Sequence, residues 1–209
     1  MRRNARRSPW MCISDRGAVP AGFAGPIAPV STLVGILLLT TVLAGCRSND
    51  PVPQTAVEAK LRGLHADTDV LAQCRPPLPW QPKPLEHFPR SVQRVWLSPT
   101  GRTAYGVIYI RLPLPVGPDL VLWRFIADMR DMEGDGRLIS RERNGGGEIR
   151  FVAETPRYRF NARLHTASRN AWVIYAGVRR DEPPDGEELS VAESARDATV
   201  PGLTTVNRG

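Results

Sequence analysis

The sequence predicts an α+β fold: an antiparallel sheet with packed helices, a ββαββββα sandwich. A signal peptide, a short helix and a Pro-rich linker precede it. Three observations predict this. Strand-like stretches between residues 91 and 179 follow one another in runs, broken by turn residues. Helical patterns interrupt them only at "VGPDLVLWRFIADMRDMEG" and close them at "GEELSVAESARDAT". Runs of strands with few helices belong to antiparallel α+β architecture; parallel folds alternate the two.

The chain opens with a targeting pattern. No charged side chain occurs from Gly17 to Cys46, whereas Arg2, Arg3, Arg6, Arg7 and Arg16 precede that run. A basic segment, an apolar core "STLVGILLLTTVLAG" and small residues before a cut are the three parts of a secretory signal. Residues 1–45 are therefore expected to be a secretory signal peptide, with Met1 or Met11 as the start and the general secretory route favoured. The competing reading is an uncleaved membrane anchor. Pro20, Pro26 and Pro29 interrupt the early part and leave the compact core shorter than the roughly 18 residues a span needs.

Leu43, Ala44, Gly45 and Cys46 form "LAGC", which resembles the lipobox of bacterial lipoproteins. Small side chains at 44 and 45 let extended backbone enter a protease groove, and the thiol is the strongest nucleophile available. The resemblance implies cleavage before Cys46, a diacylglyceryl group on its sulfur and an N-acyl chain on its freed amine. No other cofactor is expected. Stable anchoring takes about two acyl chains. Arg47 rather than Asp follows the cysteine, and in such lipoproteins this favours the outer membrane, facing the periplasm, over the inner one.

Cleavage changes the charge balance. The whole chain has 28 Lys+Arg against 21 Asp+Glu, or +7; without residues 1–45 it has 23 against 20, or +3. That argues against nucleic acid as a partner, which calls for a concentrated basic footprint. Cys12, Cys46 and Cys74 make no even disulfide set, and no C-x-x-C or H-x-x-x-H spacing indicates a metal site.

Residues 46–53 read as a tether. Val57, Leu61, Leu64, Thr68 and Leu71 step by four, three, four and three, an apolar stripe that predicts an amphipathic helix over 54–74. Thr55 and Glu58 have capping-box spacing. The stripe either docks on its own domain, stands as a stalk or supports weak self-association through 57–71. Residues 75–90 carry Pro76, Pro77, Pro79, Pro82, Pro84 and Pro89, a spacer or a strap over the domain surface.

The globular domain is expected over 91–198. Two strands flank Pro99-Thr100-Gly101. Pro118 and Asp119 suit a helix start, with Leu122, Phe125, Ile126 and Met129 as its buried stripe. Hairpins follow around Asn144–Gly147 and Ser168–Asn170. Between them Tyr158, Phe160, Ala162 and Leu164 face one way and Arg157, Arg159, Asn161, Arg163 and His165 the other. Trp96, Trp123 and Trp172 are expected in the core, with Trp80 the best candidate for an exposed sugar platform. Residues 199–209 read as a flexible tail.

"IYIRLPLPVGPDLVLWRFIADM", "GRLISRE" and "AWVIYAGV" give this domain its likeness. It resembles the Mog1/PsbP/DcrB-like α/β sandwich, in which a strand, a proline loop and a helix lead to a further strand and a late apolar strand precedes the final helix. The resemblance covers about half the chain and implies an accessory, membrane-peripheral role with no catalytic residues to carry over.

Other chemistry has thinner support. Asp131, Glu133, Asp135 and Glu142 stand at positions 1, 3, 5 and 12 of a calcium-loop pattern, with Gly136 at position 6. This makes residues 131–142 a candidate calcium-responsive module, although Ile139 at position 9 and Gly145–Gly147 oppose it. The arginines at 150, 157, 159, 163 and 169 read as a solvated strand face or as contacts to anionic headgroups. The expected function is a lipid-anchored envelope protein with a non-catalytic binding or accessory domain and an envelope protein as partner. The alternative is a carbohydrate-active or hydrolytic envelope protein with a spatially assembled site.

Overall fold

The computed structural model describes residues 53–88, 90–183 and 185–203. The signal segment 1–45, Leu43, Ala44, Gly45, the lipidation candidate Cys46 and all but the last residue of the 46–53 tether lie outside the described residues. So do 204–209.

The chain is α+β, with antiparallel sheets and packed helices. The predicted ββαββββα core is present as β5 (Ser91–Leu97), β6 (Thr103–Arg111), α2 (Pro118–Glu133), β7 (Arg137–Asn144), β8 (Glu148–Glu154), β9 (Tyr158–Ala167), β10 (Asn170–Arg179) and α3 (Gly186–Ala198). Before it stand α1 (Gln54–Glu58), β1 (His65–Asp67), β2 (Ala72–Cys74), β3 (Gln81–Pro82) and β4 (Glu86–Phe88); after it comes β11 (Val200–Pro201). The large sheet runs β3-β5-β6-β10-β9-β8-β7, with β4 also on β5, and a small sheet runs β1-β2-β11.

The period-two pattern gives the large sheet two buried faces. On one, Ile108, Val173, Phe160, Leu164 and Phe151 meet the α2 stripe of Val121, Leu122, Phe125, Ile126 and Met129. Phe125 stands edge-on to Phe151. On the other, Tyr105, Val107, Trp172, Ile174 and Ala176 pack with Val191, Ala192 and Ala195 of α3 and with Val70, Ala72 and Cys74. Trp172 Nε1 donates to the carbonyls of Val70 (3.0 Å) and Leu71 (3.1 Å), which ties the small sheet down.

Helix ends follow local chemistry. Pro118 opens α2, Asp119 lies in its first turn, and Gly134 closes it at φ 81° with its N–H on the Arg130 carbonyl. Asp185 caps α3 by accepting from the N–H groups of Glu187 and Glu188.

Several expectations are corrected. The 54–74 helix ends at Glu58. Main-chain groups of Lys60 and Arg62 bond Leu78 and Pro76, the Asp67 carboxylate takes the N–H groups of Asp69 and Val70, and Leu71 adopts φ 47°. Asp67 and Gly63 are weak helix formers, and tertiary pairing outweighs a short stripe. Val57 and Leu61 are buried in the protein's own core and Leu64 is exposed, so no continuous helical stripe forms for the self-association drawn through 57–71. Thr55 caps nothing, and Glu58 reaches Arg75 instead.

Of the two readings of the 75–90 segment the strap is the one formed, since β3 and β4 pair with β5, but Trp80, the candidate exposed platform, is buried at 3% exposure. Prolines fit there because edge strands need fewer N–H donors. The tail beginning at 199 is held at its start, since β11 pairs with β2 and Thr199 is buried. Finally, Trp123 lies on the outside of α2, 66% exposed.

Candidate functional site

The α2 stripe explains the exposed tryptophan. Val121, Leu122, Phe125, Ile126 and Met129 occupy the buried side of the helix, and Trp123 is turned about 100° from Leu122. Leu120 on the same helix and Leu114 in the preceding loop are also more than half exposed. Beside Trp123 is a groove of about 310 Å³ between the end of β6 (Ile110), the loop residues Leu112, Pro113 and Val116, and Leu120. Its lining is apolar apart from Arg124. On the other flank a groove of about 270 Å³ runs past Ile126 and Leu138, bordered by Arg130 and Arg141. Trp123 is the ridge between the two.

Guanidinium groups frame this surface. Arg124 pairs with the buried Asp128 at 2.7 Å, and Arg141 and Arg143 both pair with Asp119. Two main-chain bonds gather three more arginines at the same end of the sheet. Arg111 donates its N–H to the Arg90 carbonyl, and Leu112 donates to the Arg169 carbonyl, each at 2.8 Å. Arg90, Arg111 and Arg169 are exposed and make no ion pair among the described residues.

A second concavity, of about 510 Å³, lies between α3 and the far ends of β8, β9 and β10. Its centre is the mostly buried Glu154, approached by Arg137 at 3.1 Å and by Arg159 and Arg180 at 3.8 Å. Arg180 also donates to the Thr155 carbonyl (3.0 Å), and Asn161 donates to Glu193 of α3 (2.7 Å). Three carboxylates, Glu154, Glu182 and Glu193, thus line one cleft, but guanidiniums already crowd Glu154, and Arg102 pairs with Glu182.

A buried polar chain holds the C-terminal segment. The Thr199 hydroxyl donates to the Ala195 carbonyl (2.7 Å) and lies 2.5 Å from the Tyr105 hydroxyl. Arg163 donates to the Thr199 carbonyl (2.6 Å) with Glu148 and Asp197 near it. Burial pushes the neighbouring Cys74 thiol up to about 12 and raises the Tyr105 hydroxyl well above its ordinary value. Burial also lowers the Arg163 guanidinium, against the pull of Glu148 and Asp197. A thiol so far from ionising is a packing group and a poor nucleophile.

The calcium pattern is not assembled. Asp131 and Glu133 are in the last turn of α2, Asp135 follows its Gly134 cap, and Glu142 is in β7 opposite Arg150. Seven residues of mostly extended chain carry Glu142 roughly 20 Å from Asp135. Arg130 Nε takes the Gly136 carbonyl at 2.8 Å. Among the described residues no cluster of three or more His, Cys, Asp or Glu could hold a metal ion.

The arginine row is divided by its surroundings. Arg150, Arg157, Arg159 and Arg169 are exposed, while α3 and Thr199 cover Arg163. Sequence reasoning missed the outward Trp123 and the Glu154 cluster. The first was within reach, because residues 121, 122, 125, 126 and 129 fill the buried arc of a helical wheel. The second gathers residues from three strands and the turn after β10, and carried no local signal.

No protein-family model and no curated protein matches this chain.

Proposed function

We propose that this chain is a lipid-anchored bacterial envelope protein whose α+β domain binds a partner without catalysis. The observation that carries the binding role is the apolar surface around Trp123, with its two flanking grooves, on a helix fixed by a full buried stripe. Contiguous exposed apolar surface of this kind marks interaction sites. The anchor half rests on "LAGC" at 43–46 after an uncharged run, with Cys46 carrying the acyl chains and the outer membrane, facing the periplasm, as the favoured location. The element order β5-β6-α2-β7-β8-β9-β10-α3 supports the finer reading of the fold as a Mog1/PsbP/DcrB-like sandwich.

Intact mass of membrane-extracted protein tests the anchor. The expected species begins at Cys46 with two or three acyl chains; an unmodified chain beginning at Met1 refutes it. Cross-linking in native membranes tests the surface. Trp123→Ala is expected to abolish the cross-links, and an unchanged pattern counts against the Trp123 site.

The second reading is a carbohydrate-active or hydrolytic protein, favoured by the three carboxylates, Glu154, Glu182 and Glu193, in one cleft. It is weaker because three arginines occupy Glu154 and an amide occupies Glu193. Turnover of glycoside or ester substrates that Glu193→Gln abolishes would establish it. Trp123 makes a poor sugar platform, because its larger flanking groove offers only Arg124, already paired with Asp128, where sugar hydroxyls require several polar groups.

A further inference from the structure

We infer that the Trp123 surface docks onto the anionic lipid bilayer itself, as a second membrane contact beside the acyl anchor. This deepens the binding role proposed above and names the partner.

The apolar part has the composition of an interfacial contact. Leu114, Leu120 and Trp123 project from the loop before α2 and from its first two turns. Trp123 lies five residues after Pro118, about 8 Å along the helix axis. All three side chains therefore sit at the same end of the large sheet, within the depth of a headgroup layer. Tryptophan prefers that layer, with its ring among acyl carbons and its N–H toward water.

The charged part complements a lipid surface. Arg90, Arg111 and Arg169 border the loop through the two main-chain bonds described above, and no acidic partner engages them among the described residues. Asp119, the acid nearest the apolar tip, is neutralised by both Arg141 and Arg143. Exposed arginines without acidic partners, at the same end of the large sheet as the apolar tip, match phosphate above hydrocarbon.

The groove favours lipid over a peptide. Its walls are apolar side chains apart from Arg124, whose guanidinium is already paired with Asp128. A peptide entering it would leave its N–H and C=O groups unsatisfied, whereas an acyl chain brings none.

The test uses the acylated protein beginning at Cys46 in vesicles rich in phosphatidylglycerol, with bromine on the lipid acyl chains as a quencher. Cleavage removes Trp10, and Trp80, Trp96 and Trp172 are buried in the domain, so contact quenching should report Trp123. Quenching is expected in the wild type and should be lost in Trp123→Phe. Each of Arg90→Gln, Arg111→Gln and Arg169→Gln should weaken the contact roughly fivefold at low salt. Equal quenching in wild type and Trp123→Phe overturns the inference. So does a Trp123-dependent protein cross-link in cells with no lipid quenching.

Intact mass of the same sample keeps the two proposals apart. An acylated chain without Trp123-dependent quenching removes the lipid contact and leaves the anchor. A chain without acyl groups that still shows such quenching removes the anchor and leaves the contact.

Discussion

Gly106→Ala tests how tightly the centre of the large sheet is packed. Gly106 lies in β6 opposite Tyr175 of β10. A Cβ at position 106 would press on Tyr175 Cζ, lie 2.5 Å from its hydroxyl oxygen and lie 2.7 Å from Cε1. Ordinary contacts are about 3.5–4.0 Å, so the ring would have to move by roughly 1 Å. It has little room. Tyr175 is 2% exposed, stands edge-on to Phe160 at 5.6 Å, and accepts a hydrogen bond from Gln93 Nε2 at 3.1 Å.

Overpacking of this kind costs about 1–3 kcal/mol. Weakening the Gln93 bond adds about 1 kcal/mol. Replacing a strand glycine returns about 0.5–1 kcal/mol. The expected net loss is about 1–3.5 kcal/mol, a fall in Tm of roughly 2–14 °C for a domain of this size. Urea unfolding followed by tryptophan fluorescence reads the loss. In a Tyr175→Leu background, which removes the clashing atoms, the same substitution should cost at least about 1 kcal/mol less. A Gly106→Ala protein within about 0.5 kcal/mol of the wild type, or an equal penalty in both backgrounds, refutes the reasoning.

Three more outcomes are expected. Stability should fall as pH rises from about 9, the ordinary thiol value, toward the folded-state value of about 12 at Cys74, because the unfolded chain releases that proton first. The slope is at most about 1.4 kcal/mol per pH unit, and Cys74→Ala should flatten its lower part in urea titrations at successive pH values. Asp185→Ala should cost about 1 kcal/mol by removing the cap of α3, read as a lower urea midpoint with unchanged slope. Thr199→Val should cost about 1–3 kcal/mol by breaking the Tyr105 and Ala195 contacts, and faster hydrogen exchange at Ala72–Cys74 should accompany it because β11 pairs there.

The sequence by itself determined the elements whose causes are local. Period-two alternation placed β9 with Tyr158, Phe160, Ala162 and Leu164 inward, and all four are buried. Pro118, Asp119 and Gly134 marked the ends of α2, because a proline, a first-turn acid and a left-handed glycine act within one turn of chain. The order ββαββββα followed from those signals together.

Tertiary structure decided whatever depended on competition between distant segments. The stripe from Val57 to Leu71 fits a helix when read alone, but the proline strap and β11 offer its backbone other partners. Trp80 and Trp123 are alike in the sequence as aromatic residues near prolines. The first is covered because its strap crosses the α3-side core, and the second is bare because five neighbours already fill the buried side of α2. The surface around Trp123 is of the same kind. Arg90, Arg111 and Arg169 are up to 79 positions apart in the chain, and only the pairing of β5, β6 and β10 brings them to one end of a sheet.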